Sequence, residues 1–228
     1  MKIDSAIKDA VLELKKNKIT SAMLDSELLM SKVIKKDRDF IILNSDEILK
    51  KKDYFHFKKL INERLKGKPI AYLTGKKDFW KYEFCINENV LIPRPDTEIL
   101  IEQVLNIYKN KKSLNFLDIG SGSGCILLSI LKEKKHFSGT GIDLSDECLK
   151  ISKINALKLG IKNRVKFFKS DIDNFSYGKY DLIISNPPYI KKLSLKYLEN
   201  SVVNFEPKLA LDGGLGGISE IRKVINRS

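Results

Sequence analysis

The string Ser185-Asn186-Pro187-Pro188-Tyr189 contains the residue types that point most directly to chemistry. Two consecutive prolines fix the backbone and remove two N–H donors, so this segment presents acceptors: the Asn186 side-chain oxygen and the Pro187 carbonyl. Acceptors hold an NH2 group, and the neighbouring Tyr189 ring can cover a flat one. The pattern predicts a holder for a planar amide or for the exocyclic amine of a base, with prolines that only end a strand as the alternative.

A glycine-rich string, LDIGSGSG, occupies residues 117–124 and follows an apolar stretch typical of a strand. Its glycines allow a tight turn and bring backbone N–H groups close to a ligand. The G-x-G-x-G spacing differs from the G-x-G-x-x-G of nicotinamide binders, and no G-K-[ST] follows as in a P-loop. We therefore expect an amino-acid group here rather than a pyrophosphate, with a ligand-free glycine turn as the alternative. The residues expected to contact that group are Gly120, Ser121, Gly122, Ser123 and Gly124.

Two carboxylates follow the next two predicted strands. Asp143 ends the strand that comes after the glycine string, where a carboxylate can accept hydrogen bonds from both hydroxyls of a ribose. A helix cap is the alternative role, and Ser145 suits that role better. Asp171 can accept from an adenine amino group while Ile172 packs on the ring, with a loop cap as the alternative for Asp171. Together with the glycine string, these residues predict an adenosine that carries an amino-acid tail.

Alternating strands and helices position these residues. The pattern predicts strands at 115–119, 140–142, 165–168 and 182–185, with one helix capped by Asp96 or Thr97 and others that begin at Ser123 and Ser145. Such alternation predicts an α/β fold with a parallel, doubly wound, Rossmann-like sheet that binds its ligand at the carboxyl ends of the strands.

The part of the chain before this alternation has a different periodicity. Residues 1–67 carry a helical pattern, with expected caps at Asp4, Thr20 or Ser21, and Ser45, a short helix around 37–43 and a stop at Gly67. Leu24 and Leu28 are expected on the apolar face of the second helix, with Val33 as a further candidate. Residues 70–95 are strand-like and aromatic and predict a β-hairpin with a turn near Asn87. We expect three parts: a small helical domain (1–68), a β-hairpin linker (69–95) and the ligand-binding domain (96–228).

Composition excludes several classes of function. The 228 residues include 42 Lys and Arg and 29 Asp and Glu, so the net charge is 42 − 29 = +13. This charge is spread over both halves of the sequence. The even distribution favours a lysine-rich surface over a specific nucleic-acid-binding arm. The three cysteines form no CxxC and the two histidines stand apart, so we expect no metal site and no Ser/His/Asp hydrolysis. The longest uncharged stretch, at 119–131, is too short for a membrane span. With no signal or transit pattern, we expect a cytoplasmic protein.

Several strings together resemble one known family. They are KPIAYLTG (68–75), the pair Phe79-Trp80, LIPRPDTE (91–98), LDIGSGSG (117–124), SNPPYI (185–190) and FEP (205–207). On these strings the sequence resembles the release-factor glutamine N5-methyltransferases of the HemK/PrmC type, within the class I S-adenosylmethionine-dependent methyltransferases. The resemblance implies S-adenosyl-L-methionine as cofactor, class I peptide chain release factors as protein partners, and the glutamine of their Gly-Gly-Gln loop as the group that is methylated. It also implies that the helical domain binds the substrate.

The resemblance assigns a role to each candidate residue. Asn186 and the Pro187 carbonyl grip the substrate amide as the catalytic pair, with Asn186 also facing the cofactor. Pro188 and Tyr189 line the substrate. The glycine string holds the methionine part of the cofactor, Asp143 the ribose, and Asp171 with Ile172 the adenine. For Arg94 two roles are open: contact with an acidic group of the cofactor or partner, or a salt bridge that braces the linker.

Two other functions stay open from the sequence. An NPPY loop can also hold the exocyclic amine of adenine or guanine in RNA or DNA, and a non-catalytic adapter with a vestigial cofactor domain is possible. The adapter alternative is supported by the C-terminus of the sequence. The family pattern continues beyond this point with further strands and a helix. We therefore expect a chain truncated at its C-terminus, with a compact variant as the alternative, and strand 180–185 as an open apolar sheet edge.

Overall fold

Five helices surround one apolar core within residues 1–75 of the computed structural model, which describes residues 1–227. They are α1 (Ile3–Lys16), α2 (Ala22–Ile34), α3 (Arg38–Leu43), α4 (Lys51–Leu65) and α5 (Ile70–Thr74). On α1 the buried side chains include Ile7, Val11 and Leu14, at the helical spacing that predicted them. The short helix predicted around 37–43 is confirmed as α3, and the Asp37 carboxylate caps it by accepting from the Phe40 N–H at 2.8 Å. This segment, Met1–Gly75, forms one compact unit.

Two predicted helix starts in this unit were wrong. Helix α1 begins at Ile3, ahead of the predicted cap Asp4, and α4 begins at Lys51 rather than after Ser45. The cause is one tertiary contact: the Ile3 and Asp4 N–H groups donate to the carbonyls of Glu47 and Ser45, at 2.9 and 2.8 Å. The turn at 44–46 and the residues after it, which include a β-bridge between Ile48 and Lys2, therefore lie beside the start of α1 and satisfy the free N–H groups that a side-chain cap would otherwise take.

Two further predictions in this unit were wrong, one in part. On α2, Val33 is buried as expected, but Leu24 is exposed and Leu28 only half-buried, and Leu29 and Met30 are buried instead. The strand-like stretch that begins at Ile70 is the short helix α5, because a brief apolar run does not by itself distinguish helix from strand. Gly75 ends this helix at φ +80°, and the Lys32 ammonium donates to its last carbonyls.

A β-hairpin opens the second unit, which begins at Lys76. Strands β1 (Lys76–Phe79) and β2 (Tyr82–Cys85) pair antiparallel, as predicted, and they are joined by a turn at Trp80. The turn predicted near Asn87 is also present, but it follows the hairpin: the Val90 N–H donates to the Asn87 carbonyl at 3.1 Å. Trp80 takes the unusual φ of +56°. Its N–H donates to the Glu98 carboxylate at 2.7 Å, which helps to hold a conformation that bulky residues avoid.

Four parallel strands form the central sheet of this unit, as the alternating pattern predicted. They are β3 (Leu114–Ile119), β4 (Phe137–Asp143), β5 (Val165–Lys169) and β6 (Leu182–Ser185), in the spatial order β5-β4-β3-β6. The helices are α6 (Glu98–Ile107), α7 (Cys125–Glu133), α8 (Asp146–Lys158), α9 (Asn200–Phe205) and α10 (Ser219–Arg227). Strand order reverses beside β3, which has β4 on one side and β6 on the other, and such a switch point opens a crevice at the carboxyl ends of the strands.

Each face of this sheet packs on a different layer. Leu114 and Phe116 belong to one cluster with α6, α7 and the hairpin side chains Phe79 and Phe84. Leu117 and Ile119, which alternate with the first pair along β3, belong to another cluster with residues from the loop after β5 and from α10. The α/β fold class is therefore confirmed, with helices on one face and loop plus α10 on the other.

Strand β6 lies at an edge of the sheet, because within residues 1–227 it pairs only with β3. No helix in that range is long and apolar enough to cross a membrane. The cytoplasmic location and the three-part division 1–68, 69–95 and 96–228 stay predictions.

Candidate active site

A cavity of about 670 Å³ lies at the carboxyl ends of the four parallel strands. Its lining includes most of the residues that the sequence singled out, although they are far apart along the chain: Gly120, Gly122, Asp143, Asp171, Ile172, Asn186, Pro187 and Pro188. Its volume is in the range of sites for small molecules and cofactors. A second cavity, of about 590 Å³, lies at the amino ends of the strands and is lined by none of these residues.

The glycines of the glycine string have two different roles. Gly120 and Gly122 have φ values of +71° and +56°, and a Cβ added at either would meet nothing within 4 Å, so both backbones are open to a ligand. At Gly124, by contrast, an added Cβ would meet Leu128 at 3.0 Å and Ser152 at 3.3 Å. Gly124 thus permits close packing between the loop and its helices. Ser121 and Ser123 are buried and are not among the lining residues.

Polar side chains of α8 and the end of β4 hold this loop in place. The Gly122 N–H donates to the Asp143 carboxylate at 2.9 Å, and the Ser152 hydroxyl donates to the Gly122 carbonyl at 2.7 Å. The Asn155 side chain donates to the Ser123 carbonyl at 2.9 Å. Sequence reasoning missed Ser152 and Asn155. Their signal was present: two polar residues three apart that share the buried face of a helix.

Asp143 lies in the cavity wall with acceptor capacity left over. One oxygen accepts from Gly122 and the other from the Ser145 N–H, each at 2.9 Å. A carboxylate has about four lone-pair sites, so two remain for a pair of ligand hydroxyls. The helix-cap role belongs to Ser145, whose hydroxyl accepts from the Cys148 N–H at 3.3 Å, as predicted.

Asp171 and Ile172 form another part of the wall. The Asp171 carboxylate accepts from the backbone and side-chain amides of Asn174, at 2.8 Å each, and thereby caps its own loop. Ile172 packs on the apolar cluster of Leu117, Ile119 and Ile142. This part of the cavity therefore offers an apolar surface beside a carboxylate that is already engaged by its loop.

The NPPY loop is held from two sides. The Asn186 side-chain amide donates to the Thr97 hydroxyl at 3.3 Å. Next to it, the Ile190 N–H donates to the Leu211 carbonyl at 3.2 Å, and the Gly213 N–H donates to the Ile190 carbonyl at 2.9 Å. Tyr189 is 63% exposed and lies outside the cavity lining, so it is available at the surface rather than inside.

Arg94 forms a salt bridge. Its guanidinium donates to the Glu206 carboxylate at 2.6 Å, and the other oxygen of that carboxylate accepts from the Ile92 N–H at 3.3 Å. The Glu206 side chain is only 2% exposed. Of the two roles left open for Arg94, the structure therefore shows the salt bridge, and it joins the LIPRPDTE and FEP strings.

Burial changes the titration of two side chains near the loop. It raises the pKa of Asp118, one of the residues of the glycine string, to about 7. The charge of Asp143 raises this pKa further, and the nearby Leu127 N–H acts in the opposite direction. Neither Asp118 oxygen has a partner within hydrogen-bond geometry among the described residues. Burial likewise raises the pKa of the Cys125 thiol to about 12, which fits a packing residue.

Two protein-family models match this chain. The PrmC N-terminal domain matches residues 5–75, and the methyltransferase small domain matches residues 95–215. Together they cover the helical unit and most of the unit that contains the cavity.

Similar sequences match the whole of this chain. A release factor glutamine methyltransferase of Buchnera aphidicola subsp. Acyrthosiphon pisum is 40% identical over all of this chain and 80% of its own length. One from Clostridium acetobutylicum is 38% identical over all of this chain and 81% of its own length. A solved structure, the hMettl16 catalytic domain in complex with MAT2A 3'UTR hairpin 6, superposes with a TM-score of 0.53 over 64% of this chain and 55% of that one, at 20% identity, and shows the shared fold. With both domains matched and relatives this similar over four fifths of their length, the chain belongs to the release factor glutamine methyltransferase family.

Proposed function

We propose that this protein transfers a methyl group from S-adenosyl-L-methionine to the side-chain amide nitrogen of the glutamine in the Gly-Gly-Gln loop of class I peptide chain release factors. One observation carries the proposal. The open glycine backbone at Gly120 and Gly122 and the amide-gripping pair Asn186 and Pro187 line the same cavity at the switch point of the sheet. A methyl donor and an amide acceptor would therefore meet there.

The residues present fit this cofactor. The open backbones of Gly120 and Gly122 leave room for the methionine part, Asp143 has lone pairs left for the two ribose hydroxyls, and Ile172 offers an apolar surface to the adenine ring. When bound, S-adenosyl-L-methionine supplies an electrophilic methyl group on a positively charged sulfur. Asp171 accepts from the adenine amino group in this arrangement, in addition to capping its loop.

Asn186 and Pro187 activate the substrate by orientation. An amide nitrogen is a poor nucleophile because its lone pair is delocalised into the carbonyl. When the Asn186 side-chain oxygen and the Pro187 carbonyl accept its two N–H bonds, the lone pair is aimed at the methyl group and the positive charge that develops on nitrogen is stabilised. Orientation of this kind supplies roughly 7–11 kcal/mol in favourable cases. The extra proton leaves the nitrogen after transfer, so no base has to act first.

The substrate class is tested by transfer of a labelled methyl group. We expect label in the glutamine of a class I release factor and none above background in bulk RNA. Label in RNA but not in the release factor would favour the nucleic-acid alternative. A folded chain that fails to bind S-adenosyl-L-methionine in calorimetry would favour the adapter alternative.

The amide grip is tested by Asn186→Ala. We expect the methylation rate to fall by about a hundredfold or more, the range seen when one group that stabilises developing charge is removed, with little change in cofactor affinity. Asn110→Ala is the matched control, because Asn110 is exposed and outside the cavity. Equal losses of rate and cofactor affinity in Asn186→Ala would contradict the grip.

A further inference from the structure

We infer that Thr97 is a positioning residue that holds the Asn186 side chain in the orientation needed to grip the substrate amide; this rests on the proposed function. A primary amide has two different ends, an oxygen that accepts and an NH2 that donates. Only the oxygen end of Asn186 can hold an N–H of the substrate. In the structure the NH2 end is engaged by the Thr97 hydroxyl at 3.3 Å, so the oxygen end is left for the substrate.

Thr97 is itself held firmly. It closes a short 3-10 helix, Pro95–Thr97, and its N–H donates to the Arg94 carbonyl at 3.0 Å. Pro95 fixes the φ angle at the first position of that turn. The Thr97 hydroxyl therefore has a defined place relative to the Arg94 backbone.

The buried carboxylate of Glu206 fixes the segment before this turn. One of its oxygens accepts from the Arg94 guanidinium and the other from the Ile92 N–H. The Glu206 side chain is 2% exposed. Loss of either donor would therefore leave an oxygen of a buried carboxylate without a partner, which is unfavourable. The contacts thus run from Glu206 through Arg94 to Thr97 and end on Asn186.

These contacts give a shared purpose to three strings of the sequence. FEP supplies Glu206, LIPRPDTE supplies Arg94 and Thr97, and SNPPYI supplies Asn186. The pairs are separated by 112 and 89 positions along the chain. We infer that the first two strings serve to orient the third, without contact between Thr97 and the reacting atoms.

The kinetic test replaces Thr97 by an isostere without a hydroxyl. In Thr97→Val we expect kcat for release-factor methylation to fall about tenfold, the ratio that corresponds to loss of one ordinary hydrogen bond, with KM and the cofactor Kd within about twofold of wild type. Thr97→Ser restores the hydroxyl and should recover most of kcat. Thr20→Val makes the same change at an exposed residue of the helical unit and serves as the control. Melting temperatures confirm that every variant is folded.

A second measurement does not depend on activity. The side-chain NH2 signal of Asn186 in a 15N-labelled sample is identified by its disappearance in Asn186→Ala. We expect this signal to move in Thr97→Val, to return towards its original position in Thr97→Ser, and to stay unchanged in Thr20→Val.

The two measurements separate failure of the inference from failure of the proposed function. A wild-type chain that methylates release factors while Thr97→Val keeps both kcat and the Asn186 signal overturns the inference alone. A wild-type chain with no activity on release factors overturns the proposed function, and the Asn186 signal then decides whether Thr97 holds that side chain. Loss of kcat in both Thr97→Val and Thr97→Ser, with the signal unmoved, also overturns the inference.

Discussion

Asp118 is a carboxyl group that the fold holds in an unfavourable place. Its side chain is fully buried at the end of β3, neither oxygen has a partner within hydrogen-bond geometry among the described residues, and Asp143 adds a second negative charge nearby. Burial and that charge raise the pKa of Asp118 from 3.8 to about 7. Because the fold favours the protonated form, the stability tied to this group is present at acidic pH and lost as the pH rises through about 7.

The loss of stability with rising pH can be tested on the cofactor-free chain. Asp118→Asn cannot become charged, so its advantage in melting temperature over wild type should grow between pH 5 and pH 8. Thermal melts across that range measure the difference. Asp78→Asn, at an exposed position of the hairpin, removes the same charge without burial and should show no such growth. Parallel melting curves for wild type and Asp118→Asn at all pH values would contradict the assignment.

At the scale of elements, two loops are packed backbone to backbone. Gly213 lies in the segment after α9. A Cβ added there would meet the Tyr189 Cα at 2.8 Å and the Pro188 carbonyl oxygen at 2.9 Å. Neither obstacle is the flexible end of a side chain. The absence of a side chain at Gly213 therefore lets the segment after α9 lie directly against the NPPY loop. The position of that loop beside the cavity depends on this contact.

A pair of glycines makes this contact testable. Gly213→Ala should push the NPPY loop by a few tenths of an ångström and lower the methylation rate by roughly tenfold or more, since small displacements of reacting groups are costly. Gly216→Ala is a close control, because its added Cβ would meet only Ile218, at 3.7 Å. Methylation rates and melting temperatures of both variants check this. Equal rates in the two variants would show that the contact does not set the loop.

Elements were predictable where local chemistry alone determines them. The sheet strands after residue 114, the short helix around 37–43 and the cap Ser145 depend on neighbouring residues, and the structure confirms them. The starts of α1 and α4 depend on a contact between residues 3–4 and 45–47, which no local pattern encodes. The hairpin turn likewise depends on Glu98, 18 positions from Trp80.

The candidate site divides in the same way. Glycines, prolines and strand-end carboxylates have distinctive local patterns, so most of the cavity wall could be predicted. Ser152, Asn155 and Thr97 act only through side chains that meet partners 30 or more positions away. Their roles become visible only when the fold brings those partners together.

At the scale of the whole molecule, the cavity is lined entirely by residues between Glu88 and Val224, whereas the first unit has its own core around Leu14 and Phe57. Hydrogen exchange with and without S-adenosyl-L-methionine should therefore show protection in peptides that cover 117–124, 143–148 and 185–189. Peptides from α1 and α4 should exchange at the same rate in both conditions. Protection confined to the first unit, Met1–Gly75, would place the cofactor elsewhere.

The hairpin turn has a practical consequence. Trp80 is the only tryptophan of the chain, and its indole N–H donates to the Glu133 carboxylate at the end of α7, at 3.0 Å. Tyr82 and Lys81 donate to the same carboxylate, and despite burial these three hydrogen bonds lower the pKa of Glu133. Fluorescence emission from the Trp80 indole therefore reports whether the hairpin is packed against the end of α7. The chain carries its own fluorescent probe for the docking of this element, with no label to attach.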